Sequence, residues 1–112
     1  MPNGSALTSP LSGVTVHPVK PPPELEALRR SIDDLDGRIL QLVAERVKVV
    51  LAVGHFKREN NLAVYDPERE RNMLDRLSSQ APEPLDAGTV RRIFERLVDE
   101  CRRIEQRSVE SE

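Results

Sequence analysis

The fold is decided by residues 25–59, which read LEALRRSIDDLDGRILQLVAERVKVVLAVGHFKRE. Apolar side chains recur there at alternating spacings of three and four, which predicts one helix to about Glu59. We name these side chains the heptad stripe: Leu25, Leu28, Ile32, Leu35, Ile39, Leu42, Val49, Val53 and Phe56. A helix of roughly 36 residues would be about 54 Å long, longer than so small a domain is wide. We therefore expect it to pack against another chain.

A short second helix is predicted after a turn. Two asparagines at 60–61 favour the turn, and Asp66 followed by Pro67 is typical of a helix N-cap and first helical residue. This second helix is expected to end at about Ser78.

A third helix of medium length is predicted after a proline-containing loop. Asp86 is its expected N-cap. Its apolar face comprises Val90, Ile93, Phe94, Leu97, Val98, Cys101 and Ile104. The predicted fold is all-α, with a long, a short and a medium helix in each chain and no internal repeat.

The ends of the chain differ in composition from its middle. Residues 1–22 are rich in Gly, Ser, Thr and Pro without a period, which predicts a disordered leader. We expect the helical domain at 23–108, with Pro23 as its first helical residue, and a tail at 109–112. The leader lacks the basic start and apolar run of a signal peptide. A single cysteine, Cys101, cannot form an internal disulfide, so we expect a cytoplasmic protein.

Composition excludes several classes of function. The 17 basic and 19 acidic residues give a net charge of −2 and are mixed along the chain, which argues against a nucleic-acid or membrane partner. Aromatic residues are scarce, which favours helices over a β-sandwich. The foldable part, roughly 85–90 residues, would bury only a thin core, so a partner subunit is expected.

Two cations lie on one face of the long helix. Arg46 occupies a position of the stripe where every other member is apolar, and a cation there is costly unless it meets an anion. Lys57 follows eleven residues later, which returns it to the same face about 16 Å along the helix. The pair predicts a cationic groove, although a snorkelling or ion-paired Arg46 and a solvated Lys57 would also explain it.

Arg29 cannot join that groove within one subunit. Seventeen residues before Arg46, it is expected about 100° around the helix and about 25 Å away. In an intertwined dimer it could reach the partner's pocket, and the alternative is a solvent-facing side chain.

Further charges lie on the two later helices. Asp66, Arg69 and Glu70 share one face of the first turn of the second helix, where capping and local pairing also explain them. Glu105 continues an apolar row of the third helix, where it could instead face water near a frayed end.

Four segments together resemble the all-helical class of chorismate mutases, over about residues 25–106. They are ALRR at 27–30, LVAER at 42–46, GHFK at 54–57 and VYDPERER at 64–71. The resemblance implies an intertwined homodimer in Phe and Tyr biosynthesis, with two equivalent sites that rearrange chorismate to prephenate. This pericyclic step moves no proton and forms no covalent intermediate, so no cofactor and no metal are expected.

The resemblance also implies roles at the reacting end of the substrate. Arg46 and the partner's Arg29 would hold its two carboxylates, and Arg suits them because its planar fork binds bidentately. Lys57 and Glu105 would donate to the ether oxygen. Position 105 is commonly Gln in bacterial members, and an ionised Glu only accepts hydrogen bonds, so Glu105 must be protonated to donate.

The other implied roles concern the ring. Asp66, through its main chain, and Glu70 would address the ring hydroxyl, while Arg69 and Cys101 would complete the lining. Position 101 is often Ser in the class, and a thiol is a weaker hydrogen-bonding group.

Three other functions fit the same residues. The chain could be an isochorismate-pyruvate lyase of this fold, a non-catalytic helical dimerisation module, or a mutase regulated by another enzyme of the aromatic pathway. Turnover assays discriminate between them.

Overall fold

The computed structural model describes residues 20–111, which form three helices and no strand. They are α1 (Pro23–Glu59), α2 (Pro67–Ser79) and α3 (Ala87–Glu110). The predicted all-α order of a long, a short and a medium helix is confirmed. Residues 1–19, which make up most of the predicted leader, lie outside the described residues.

A Schellman turn ends α1 at the predicted asparagines. Asn61 has a φ of 58°, the left-handed conformation that Asn adopts more readily than most residues. The Leu62 N–H donates to the Lys57 carbonyl at 2.7 Å and the Asn61 N–H to the Arg58 carbonyl at 3.3 Å. These bonds satisfy the last carbonyls of α1 and redirect the chain toward α2.

Aspartates cap the other two helices, as predicted. Asp66 Oδ1 accepts the Arg69 N–H at 3.1 Å, and Asp86 Oδ1 accepts the Thr89 N–H at 2.7 Å. The Thr89 N–H lowers the pKa of Asp86 from its ordinary value. α2 packs against α3. α3 continues to Glu110, two residues past the predicted end of the domain.

The chain divides into two compact units. Of the described residues, 20–36 belong to one unit and 37–111 to the other. α1 contributes residues to both units, whereas α2 and α3 belong to the second.

A single chain buries little apolar surface. Within residues 20–111, the only buried apolar side chains are Val90 and Cys101. Every member of the heptad stripe is exposed, from 38% at Leu25 to 64% at Leu28. Exposed apolar surface of this extent is typical of an interaction face.

No helix within residues 20–111 combines the length and the apolar character that crossing a bilayer requires.

Candidate functional site

A cavity of about 1000 Å³ lies in the second unit, lined by residues of α1, α2, α3 and the connection before α2. Seven of the eight predicted site residues line it: Arg46, Lys57, Asp66, Arg69, Glu70, Cys101 and Glu105. The eighth, Arg29, is not among the lining residues. The roles predicted for all eight remain predictions.

Arg46 is hydrogen-bonded to the thiol of Cys101. Its Nη1 donates to Cys101 Sγ at 3.2 Å, and Cys101 is only 4% exposed. A thiol is a weak acceptor, so this contact orients the guanidinium without neutralising its charge. Arg46, at its position in the stripe, therefore places a cation against the wall of the cavity that α3 forms.

Lys57 lies in the last turn of α1, beside the Schellman turn. Its Nζ donates to the Val64 carbonyl at 3.4 Å, which is long for a hydrogen bond. Because this single bond is weak, a better acceptor in the cavity can replace it. Because Lys57 lies in the last turn of α1, its ammonium group is at the edge of the cavity.

Gly54 allows Glu105 to approach α1 closely. A Cβ at Gly54 would overlap Glu105 Oε2 and lie 3.0 Å from its Cδ. The same Cβ would lie 3.3 Å from Arg58 Nη1, so a carboxylate and a guanidinium flank this buried glycine. Glu105 is half-buried and precedes more than a turn of α3, so it does not lie at a frayed end.

Glu70 is paired with Arg102, for which the sequence predicted no role. Arg102 Nη2 donates to both carboxylate oxygens of Glu70 at 2.6 Å. The guanidinium carbon of Arg102 lies 5.0 Å from the centre of the Tyr65 ring. The hydrogen bond to Glu70 is the largest cause that raises the pKa of Arg102. These partners are 32 residues apart in sequence, so no local pattern predicts the pair.

Asp66 uses its side chain for capping. Oδ1 accepts the Arg69 N–H, and Asp66 itself lines the cavity. The Asp66 carbonyl also accepts the Glu70 N–H at 3.2 Å, which fixes the first turn of α2 at the cavity.

The cavity combines charges of both signs with apolar walls. Its cations are Arg46, Lys57, Arg58, Arg69 and Arg102, and its anions are Asp66, Glu70, Glu105 and Glu110. Its apolar lining includes Val49, Val50, Val53, Met73 and Val98. Within residues 20–111 there is no group of three His, Cys, Asp or Glu side chains placed to hold a metal ion. Such a site suits a small anionic ligand with an apolar body and a few hydroxyl groups.

Fold and cavity define an all-helical protein with a charged, partly apolar cavity of a size that suits a small molecule. A family profile described as chorismate mutase type II matches residues 28–106, and this range contains the seven cavity residues and Arg29. The chain therefore belongs to the type II chorismate mutase family. The family resemblance inferred from the sequence is confirmed.

Individual relatives agree with the family match. A chorismate mutase of Methanocaldococcus jannaschii is 30% identical over 88 residues, which cover 78% of this chain and 89% of that protein. A bifunctional chorismate mutase/prephenate dehydratase of Aquifex aeolicus is 41% identical over 54 residues, which cover 48% of this chain. This match spans only 15% of the bifunctional protein.

A solved structure agrees as well. Chorismate mutase (form II) from Thermus thermophilus superposes with a TM-score of 0.72 at 33% identity. The superposition covers 75% of this chain and 96% of that chain, so the helical fold extends over nearly the whole of the Thermus protein.

Proposed function

We propose that the chain is an isomerase that rearranges chorismate to prephenate, in a homodimer, on the route to Phe and Tyr. The observation that carries the proposal is the convergence on one cavity, within the family-matched region, of seven residues to which the resemblance assigns substrate contacts. They come from α1, the connection after it, α2 and α3, so chance proximity in sequence does not explain their meeting.

The residue types suit a reaction that needs no nucleophile. Holding the substrate dianion in its compact, reactive conformer removes part of the entropic barrier, and Arg46 is the cavity cation that we assign to one carboxylate. As the C–O bond breaks, negative charge grows on the ether oxygen. Lys57 and a protonated Glu105 are assigned to donate to it, and donors already in position need no reorganisation. Only contacts that strengthen in the transition state accelerate the step.

The other end of the substrate carries a ring hydroxyl. We assign its recognition to Glu70 as an acceptor and to the main chain of Asp66. Arg69 and Cys101 complete the lining, with Cys101 acting through its bond to Arg46.

The homodimer is supported by the exposed stripe. Nine large apolar side chains at heptad spacing face solvent in the single chain, and a second copy of α1 offers the complementary stripe. We assign Arg29 to the site of the partner subunit, since it does not line the cavity of its own chain. Each site would then bind the two substrate carboxylates with one Arg from each subunit.

We further propose that the protein works in the cytoplasm beside other enzymes of the aromatic pathway. The single cysteine, which is free, supports a reducing compartment. Relatives that carry a prephenate dehydratase in the same chain support a functional link to the enzyme that consumes the product.

The test is turnover by the purified protein. Loss of chorismate absorbance is followed, the product is identified by chromatography, and isochorismate is assayed in parallel. Prephenate as the only product supports the proposal. Release of pyruvate from isochorismate without prephenate formation would identify the chain as a lyase. No turnover of either substrate would favour the non-catalytic dimerisation module. Increased turnover on adding another aromatic-pathway enzyme would identify a regulated mutase.

A further inference from the structure

Arg102 connects α3 to a carboxylate that the proposed function uses. Its Nη2 lies 2.6 Å from both Glu70 Oε1 and Oε2, and both side chains line the cavity. Charge-assisted hydrogen bonds of this kind are stronger than neutral ones. Glu70 is therefore held by α3 as well as by its own helix.

Two more contacts fix the orientation of Arg102. Its Nη1 donates to Asp99 Oδ1 at 3.2 Å, and its guanidinium lies over the Tyr65 ring at 5.0 Å, within the range of a cation–π contact. The pKa of Arg102 is raised, first by the bond to Glu70, so the group stays cationic. A guanidinium engaged on three sides has little freedom to turn toward another anion.

We propose that Arg102 is a positioning residue that fixes the Glu70 carboxylate so that it accepts the ring hydroxyl of the substrate. This inference rests on the proposed function. A carboxylate offers about four acceptor positions, and Arg102 occupies one on each oxygen of Glu70, which leaves others for a hydroxyl donor. Arg102 thereby favours substrates that carry a ring hydroxyl and does not bind their carboxylates.

Arg102→Met removes the guanidinium and keeps an unbranched apolar stem. We expect kcat/KM for chorismate to fall about tenfold, mostly through KM, because the hydroxyl bond exists in the ground and transition states alike. Arg102→Lys keeps the charge and should recover part of the loss.

Arg103→Met is the matched control on the same helix. Its guanidinium pairs with Glu100 at 3.0 Å, as Arg102 pairs with Asp99, but Arg103 does not line the cavity. It should keep the wild-type kcat and KM. Thermal unfolding is recorded for every variant, and Arg102→Lys replaces Arg102→Met if the latter does not fold.

The decisive measurement is calorimetric binding of two cyclic dicarboxylates that differ only in a ring hydroxyl. Arg102→Met should weaken binding of the hydroxyl-bearing ligand about tenfold and leave binding of the other ligand unchanged. In a Glu70→Gln background, Arg102→Met should cause no further loss of affinity. Equal weakening of both ligands would mean that Arg102 binds carboxylates directly, and additive losses would mean that it acts without Glu70. Either result, with normal wild-type turnover, overturns this inference alone. A wild-type protein that does not convert chorismate overturns the proposed function and this inference with it.

Discussion

Replacing Gly54 with alanine tests the placement of Glu105 without touching its chemistry. The added Cβ would overlap Glu105 Oε2 and lie 3.0 Å from Cδ. Because the carboxylate is the far end of a flexible side chain, it is expected to rotate away while the helices stay in place. Glu105 would then no longer reach the position proposed for the ether oxygen.

The size of the effect follows from the geometry. Restoring an ordinary separation of about 3.5 Å or more moves the carboxylate by on the order of 1 Å. A displacement of that size in a catalytic group costs about 10²-fold in rate. The free energy of unfolding should increase although the rate falls, because Ala is favoured over Gly inside a helix by about 0.5–1 kcal/mol. The variant should be at least as stable as wild type and much slower.

The assay is kcat from loss of chorismate absorbance, with thermal unfolding recorded on the same sample. Gly37→Ala is the matched control, since a Cβ there meets nothing within 4 Å and lies in the same helix. The control should keep full activity and gain similar stability. Wild-type kcat for Gly54→Ala would refute the role assigned to Glu105.

Four further outcomes are expected. Lys57→Ala should lower kcat by about 10²-fold or more at saturating chorismate, because one preplaced donor is lost; near-normal turnover would remove Lys57 from the site. Glu105→Gln, whose amide can donate to the ether oxygen, should keep kcat close to the wild-type value, whereas Glu105→Ala should lower it; equal kcat for the two variants would exclude this role. Asp86→Ala should lower the thermal midpoint at neutral pH. The Thr89 N–H lowers the pKa of Asp86, so its stabilisation is present above the unfolded pKa and is lost as pH falls through the folded pKa. A difference in midpoint that persists unchanged in acid would contradict this. Ile39→Asp puts a charge on the stripe and should abolish the dimer measured by light scattering, whereas an unchanged mass would argue for another interface.

The fold could be predicted because its signals are local. The spacing of the heptad stripe predicted the length of α1. The N-cap residues Asp66 and Asp86 predicted where α2 and α3 begin. The end of α3 was less predictable. No glycine, proline or asparagine follows Ser108 to end the helix there, and it continues to Glu110.

The site could be predicted only in part. Arg46 and Glu105 stand out because each is a charge on an otherwise apolar row, and helical spacing placed Lys57 on the face of Arg46. The pairing of Arg102 with Glu70 depends on how α2 and α3 pack, and the role of Gly54 depends on a close approach between α1 and α3. Neither has a periodic signature, since the partners are brought together by tertiary structure.

Subunit complementation tests the central claim most directly. Arg29→Ala and Arg46→Ala dimers should each be nearly inactive toward chorismate. After unfolding and refolding as an equal mixture, about half of the dimers pair one variant with the other, and each such dimer has one site with both arginines. Recovery of about a quarter of the wild-type activity is the predicted result. A mixture that stays inactive, or an Arg29→Ala dimer with full activity, would contradict a site shared between two subunits.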